Sequence, residues 1–362
     1  MLTIQKSVHC ALYLLKFIRM QLKVTIVSTA TILIMLSSFT NGLLCRSSTD
    51  KNVLTKKSTG LDVLRILKNE NKLAPYVKEG GVAVVTGGNS GIGAVSVDVL
   101  ALSGMKVVLC ARNLDSAKKE VEQMSAKENV RIQEMDLTDL SSVKAAAEEI
   151  IEKEGTIDVL LLNAGVMATP YELTKDGFEL QFGTNHIAHY FLTNLLLSSI
   201  NENGRVVSVA STAHTFGDID FDDLNYSNGR KYTPWGAYGQ SKLANILFAK
   251  GLNDKLKEKN SNIRSVSLHP GVIRTNLWRY TGSFVSLATN LIADKSVEQG
   301  AATNLYCCMV DAENSDIKDG GGYFVDCAIA SPNTSGEDAD KVRREMLWNR
   351  SEEMLRRDGW LS

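Results

Sequence analysis

The chain has 362 residues, 44% of them hydrophobic, and 40 basic side chains stand against 41 acidic ones. That is enough for one large domain with a substantial core. The formal net charge of -1 gives no global pull towards nucleic acid, which removes nucleic-acid binding from the expected functions.

The first 49 residues carry no Asp or Glu. Within them Val24–Cys45 is uncharged and bounded by Lys23 and Arg46. At 1.5 Å per residue it reaches roughly 33 Å, enough to cross a bilayer core. Residues 24–45 are therefore expected to form a membrane anchor after a basic segment, 1–23. A cleaved signal peptide and an organelle presequence are the alternatives. Basic residues flank the span equally, so its orientation is open. Residues 46–80 read as a polar linker with a short surface helix around Leu61, Leu64, Ile66 and Leu67.

From residue 81 to 362 the texture is that of one catalytic domain. Apolar runs at Val82–Val85, Lys106–Ala111, Val130–Met135, Ile157–Leu162, Arg205–Val209, Ile263–Leu268 and Tyr323–Val325 predict strands. Stretches of helical period lie between them, at Leu114–Ala126, Asp139–Glu154, Asn185–Ile200 and Ala237–Lys257. Apolar strands separated by helices predict an α/β fold: a doubly wound, Rossmann-type parallel sheet with helices on both faces. Its ligand crevice lies beyond the carboxyl ends of the strands. The six cysteines, Cys10, Cys45, Cys110, Cys307, Cys308 and Cys327, form no Cys-x-x-Cys pair. They read as unpaired thiols in a reducing compartment, and no metal site is expected.

The first strand runs into Thr86-Gly87-Gly88-Asn89-Ser90-Gly91-Ile92-Gly93. Glycines after a buried strand let the backbone approach a pyrophosphate at a helix N-terminus. The second strand ends at Ala111 with no acid to hold a ribose 2′-hydroxyl, and Arg112 follows. A guanidinium suits a 2′-phosphate, so NADP(H) is favoured over NAD(H). Asp136 and Leu137, past the third strand, are placed at the adenine, although Asp136 suits a helix cap equally. Asn163-Ala164-Gly165 ends the fourth strand at the same edge, and Asn185 is expected to begin a helix. Ser211 follows the fifth strand. Pro270-Gly271 and Thr275 follow the sixth, where they turn the chain under a nicotinamide.

Tyr238 and Lys242 stand four apart in a predicted helix, on one face. A phenol is a weak base near neutrality, and an adjacent ammonium is expected to lower its pKa. Each of these residues alone has an ordinary structural explanation. Their convergence on successive strand ends does not.

The set resembles the short-chain dehydrogenase/reductase superfamily over roughly Gly81 to Leu355. The resemblance implies that Tyr238 is the acid/base and that Ser211 positions the carbonyl. Lys242 would bind the nicotinamide ribose, and Asn185 would hold a proton-relay water. Between Ser211 and Tyr238 lie 26 residues, where many members have about a dozen. That insert, with Tyr238-Gly239-Gln240-Ser241-Lys242, is similar to the retinol dehydrogenase and WW-domain oxidoreductase branch, without a WW domain. The branch implies a lipophilic carbonyl or alcohol substrate, such as a retinoid or steroid. Leu277–Leu287 is the expected lid. Asp338–Leu355 reads as a charged helix with a solvated face.

The expected protein is thus an NADP(H)-dependent reductase or dehydrogenase, with homo-oligomerisation open. Its expected place is a membrane, that of the endoplasmic reticulum, with mitochondrial and secretory destinations as alternatives. A catalytically silent NADP-binding regulator and a nucleotide-sugar epimerase or dehydratase are the competing functions.

Overall fold

The computed structural model describes residues 53–273 and 295–361. The expected anchor Val24–Cys45, the lid Leu277–Leu287 and Thr275 lie outside these residues. Among the described residues no helix is long and apolar enough to cross a membrane.

Helix α1 (Gly60–Asn69) opens with a reciprocal cap. The Thr59 hydroxyl accepts from the Asp62 N–H, and the Asp62 carboxylate accepts from the Thr59 N–H. This helix is not a surface feature of a linker. Val63, Ile66 and Leu67 are buried, while Leu61 is exposed. A Cβ on Gly60 would run into Leu305. The compact unit begins at Leu54, not near residue 81. Helical period marks the buried stripe of α1, but its partner lies more than 200 residues away and leaves no local signal.

The remaining elements alternate: β1 (Val82–Thr86), α2 (Gly91–Leu102), β2 (Lys106–Ala111), α3 (Leu114–Val121), β3 (Val130–Glu134), α4 (Leu140–Glu154), β4 (Ile157–Leu162), α5 (Ala188–Leu196), β5 (Ile200–Val209), α6 (Pro234–Glu258), β6 (Arg264–His269), α7 (Val297–Met309), β7 (Tyr323–Val325), β8 (Ala328–Ala330) and α8 (Val342–Arg357). The strands form one sheet in the order β3-β2-β1-β4-β5-β6-β7-β8. Neighbours are parallel except β7 and β8, which are antiparallel. The order reverses between β1 and β4, which opens a crevice at their carboxyl ends.

Alternate strand residues feed two cores. Ala83 and Val85 join Val63, Val97, Leu100 and Leu305 on one face. Val82 and Val84 join Val143, Ile150, Phe191, Leu247 and Leu347 on the other. Burial on both faces explains why the strands read as continuous apolar runs.

Three expectations shift. The helix expected to begin at Asn185 begins earlier, at Leu180, where the Glu179 carboxylate accepts from the Gln181 and Phe182 N–H groups. It passes through a π turn, Gly183–Ile187, before α5. Strand β8 is an addition; three residues are too short to show a period. Helix α8 is solvated on one side only. Leu347, Ser351 and Leu355, spaced at four, are buried, and the Trp348 ring lies 4.9 Å from that of Tyr190.

Beyond β6, Ile273 pairs with Lys295 in a single parallel bridge. The buried Lys295 ammonium pairs with Asp326 in the turn between β7 and β8, and donates to the Pro270 carbonyl at 3.4 Å.

Candidate active site

The glycine turn is a backbone cradle. Gly87 and Gly91 have φ of 66° and 55°, where a side chain is strained. A Cβ on Gly87 would stand 2.9 Å from the Ala164 Cα, and one on Gly93 would strike the Gly87 carbonyl. Ser90, before α2, makes no side-chain cap. The first N–H groups of α2, at Gly91 and Ile92, are left to face an anion. The residues present therefore fit a dinucleotide pyrophosphate. Asn89 braces the turn by donating to Ser116 Oγ at 3.2 Å.

Asn163 is a support. Its Nδ2 donates to the carbonyls of Thr86 at 3.0 Å and Gly87 at 3.3 Å. Thr86 Oγ1 in turn accepts from the N–H groups of Asn163 and Ala164 at 2.9 and 3.0 Å. The ends of β1 and β4 are thus laced together.

Arg112 is exposed immediately after β2, and its guanidinium has no hydrogen-bond or ion-pair partner among the described residues. Asn113 beside it caps α3, accepting from the Ser116 N–H at 2.9 Å. Asp136 does not cap α4; Asp139 does, accepting from Ser141 and Ser142. Asp136 Oδ1 accepts instead from the Thr138 N–H and hydroxyl, at 2.9 and 2.8 Å. Leu137 is buried next to it.

Thr233 and Pro234 start α6, which carries both Tyr238 and Lys242 inward. Ser211 lies just past the end of β5 and opens a short helical turn, Thr212–Thr215. Its Oγ accepts from the Ala213 N–H at 3.2 Å, which leaves its proton free to donate. The Ser211 hydroxyl is the polar neighbour of the Tyr238 phenol, and it offsets part of the effect of burial there. Lys242 Nζ donates to the Val209 carbonyl at 2.9 Å.

Burial dominates the electrostatics of the pair. Burial pushes the Tyr238 phenol up to about 12, and the Ser211 hydroxyl opposes it. Burial also pulls the Lys242 ammonium down to about 8. The ordering of these effects is that of desolvation over a single neutral hydrogen bond. The Lys242 ammonium stands 5.7 Å from the centre of the Tyr238 ring, on the same face of α6.

Asn185 reaches the site but its amide is already committed. Nδ2 donates to the Val166 carbonyl and to Ser241 Oγ, both at 2.9 Å. Oδ1 accepts from the Val166 N–H at 2.8 Å. Both amide hydrogens are used, which leaves the second lone pair of Oδ1 as the part of the amide that a relay water could donate to. The partner Ser241 lies inside the Tyr-x-x-x-Lys spacing and was not singled out by it. Pro270 follows β6, and Gly271 turns the chain at φ 101°.

Met167, Ala168 and Ala213 form an apolar cluster with Tyr238, flanked by Phe216 and Trp235. The Trp235 ring lies edge-on to Tyr238 at 6.2 Å and to Phe216 at 6.4 Å. Phe216 and Trp235 come from the long insert after Ser211. Elsewhere in the insert, the Tyr232 hydroxyl donates to the Thr169 carbonyl at 2.9 Å and accepts from Gln181 at 2.9 Å. The insert is thereby fastened to the chain that follows β4.

Three asparagines, Asn225, Asn333 and Asn349, stand in Asn-x-Ser/Thr sequons, and the side-chain amides of the first two are hydrogen-bonded. Asn225 Nδ2 donates to the Gly177 carbonyl at 3.1 Å, and Asn333 Nδ2 to that of His214 at 3.1 Å. Asn349 is exposed on α8. The four described cysteines, Cys110, Cys307, Cys308 and Cys327, are unpaired and buried. No group of side chains suited to a metal ion occurs among the described residues.

The family described as short chain dehydrogenase matches residues 81–285. Retinol dehydrogenase 13 of Homo sapiens is 38% identical over 288 residues, covering 76% of this chain and 85% of its own length. Short-chain dehydrogenase TIC 32 A, chloroplastic, of Brassica napus is 38% identical over 283 residues, covering 74% and 86%. Among solved structures, an uncharacterized protein from Mycobacterium paratuberculosis superposes with a TM-score of 0.64 at 35% identity. That match covers 83% of this chain and 98% of the other.

Proposed function

The chain belongs to the short-chain dehydrogenase/reductase family, and from that premise we propose that it is an NADP(H)-dependent oxidoreductase that interconverts a carbonyl and an alcohol on a lipophilic substrate. The observation that carries this reading is the burial of Tyr238, just beyond the end of β5 that bears Ser211, in an apolar cluster with Met167 and Ala213, flanked by Phe216 and Trp235. Polar groups fix one oxygen, and apolar side chains surround the rest of the molecule.

The roles follow from the chemistry of each group. Ser211 donates its free proton to the substrate oxygen and holds it beside Tyr238. Tyr238, kept protonated by burial, gives its proton to that oxygen as negative charge develops there. This protonated resting form suits carbonyl reduction. Lys242 keeps a cation next to the ribose side of the site, restrained by Val209. The glycine turn and the start of α2 bind the pyrophosphate, and Arg112 takes the 2′-phosphate. When bound, the nicotinamide supplies or accepts the hydride. The relatives named retinol dehydrogenases support an apolar alcohol or aldehyde as the substrate.

The test is a cofactor-linked screen of the full chain in membranes, with retinoids, steroids and aliphatic aldehydes against NADPH and NADH. NADPH consumption with at least one apolar carbonyl is expected. Turnover confined to small polar substrates, or to NADH, overturns the reading.

A further inference from the structure

Resting on that reading, we propose that His189 is a positioning residue that fixes the Asn185 turn against the two strand ends carrying the cofactor turn. His189 is buried on α5. Its Nδ1 lies 3.0 Å from the Asn185 carbonyl oxygen and its Nε2 lies 2.9 Å from Thr86 Oγ1. A carbonyl only accepts, so Nδ1 carries the proton and Nε2 carries the lone pair. Thr86 Oγ1 already accepts from the Asn163 and Ala164 N–H groups, which fills both its lone pairs. The Thr86 proton therefore goes to Nε2.

Every donor and acceptor in this set is matched, in one arrangement only. Burial, with the nearby Lys242 ammonium adding to it, pulls the imidazole down to about 4, so the neutral tautomer persists. The link matters because of what stands at each end. On one side, Ala164 packs against Gly87 so closely that a Cβ on Gly87 would come within 2.9 Å of its Cα. On the other, the Asn185 carbonyl belongs to the π turn whose side chain holds Val166 and Ser241. A Cβ on Gly165 would stand 3.0 Å from Asn185 Oδ1 and 3.5 Å from Lys242 Nζ. A shift at His189 is passed both to the pyrophosphate cradle and to the neighbours of Lys242. A single imidazole with a fixed proton ties cofactor binding to catalytic geometry across the crevice.

The experiment compares His189→Leu, which fills space without polar atoms, with His189→Gln, whose amide keeps one donor and one acceptor. NADPH affinity is read by nicotinamide fluorescence, and kcat and KM are read with an active carbonyl substrate. His189→Leu is expected to lower kcat at least about tenfold and to weaken NADPH several-fold, leaving the substrate KM within about twofold. His189→Gln is expected to recover most of that loss. Where His189→Leu does not fold, His189→Asn takes its place, since its shorter amide cannot span both partners. A folded Leu or Asn variant with kcat and NADPH affinity within twofold of the unmodified chain overturns the proposal, as does a Gln variant no better than Leu. An unmodified chain that binds no NADPH overturns the functional reading as well, and its own arm of the experiment identifies that failure.

Discussion

Lys242 and Tyr238 lie one turn apart on α6, with the Lys242 nitrogen 5.7 Å from the centre of the Tyr238 ring. The ammonium donates to the carbonyl of the last residue of β5, Val209, at 2.9 Å. The cation is tethered to the sheet, and Ser211, two residues past that tether, offsets part of the effect of burial on the phenol. The chemistry of the site is set from β5 as much as from the helix.

Tyr238→Phe is the direct consequence. The ring remains among Met167, Ala213 and Trp235, so the fold should persist. The proton donor is gone, and kcat should fall by about 10²- to 10⁴-fold while NADPH still binds. Single-turnover reduction in the folded variant within a fewfold of the unmodified rate would refute the proposed role.

Arg112 governs cofactor choice in the proposed function. Its guanidinium has no partner among the described residues, and Ala111 stands where an acid would select a 2′-hydroxyl. Arg112→Ala should weaken NADPH by roughly ten- to a hundredfold and leave NADH almost unchanged. Equal affinities for the two cofactors in the unmodified chain contradict it.

Acid should destabilise this fold through its histidines. Burial holds His186 and His269 at about 3 and His189 at about 4. These folded values lie below the unfolded 6.5, so the unfolded chain binds more protons between them. Stability is then fully present above about 6.5 and is lost as pH falls towards the folded values. Unfolding at pH 5 should take up protons that unfolding at pH 8 does not. Calorimetry in buffers of different ionisation heat measures this, and equal uptake at both pH values is the contrary result.

Lys242 gives the opposite window. Its folded value of about 8 lies below the usual 10.5, so its contribution to stability grows as pH rises from about 8 to 10. In Lys242→Met the rise in melting temperature over that interval should shrink, and an unchanged slope would show that the ammonium is not desolvated in solution.

The amino-terminal segment separates two claims. We propose that Val24–Cys45 holds the protein in a membrane, and that a chain starting at Leu54 is released yet folded. Alkaline carbonate extraction should leave the full chain in the pellet and the shorter one in the supernatant. A chain starting at residue 81 should be less stable, because it lacks Val63, Ile66 and Leu67, each worth about 1.5–3 kcal/mol when buried. Equal melting temperatures for the two truncations would contradict the docking of α1.

The parallel strands and the residues at their ends were legible in the sequence because burial on both faces and strand-end chemistry leave local marks. Thr86, Asn163, Ser211 and Tyr238 all fall within two residues of a turn that the pattern locates, or at a helical spacing of four. What stayed hidden depended on partners distant in the chain. The docking of α1 needs Leu305, the commitment of the Asn185 amide needs Val166 and Ser241, and the buried face of α8 needs Tyr190. The π turn at Gly183–Ile187 changes the hydrogen-bond period without changing the apolar one, so the helix was expected to start five residues late. Strand β8 is held by β7 and by a turn with Asp326 and Cys327 at φ of 53° and 61°, a conformation no composition rule assigns to those residue types.

The bridge between Ile273 and Lys295, locked by Asp326, has a consequence for the turn at Pro270-Gly271. Lys295 donates to the Pro270 carbonyl, and a Cβ on Gly271 would strike its side chain. This one lysine is a strut between the far edge of the sheet and the end of β6, so a charge removed at Asp326 would be felt at the end of β6 with no residue of the crevice altered.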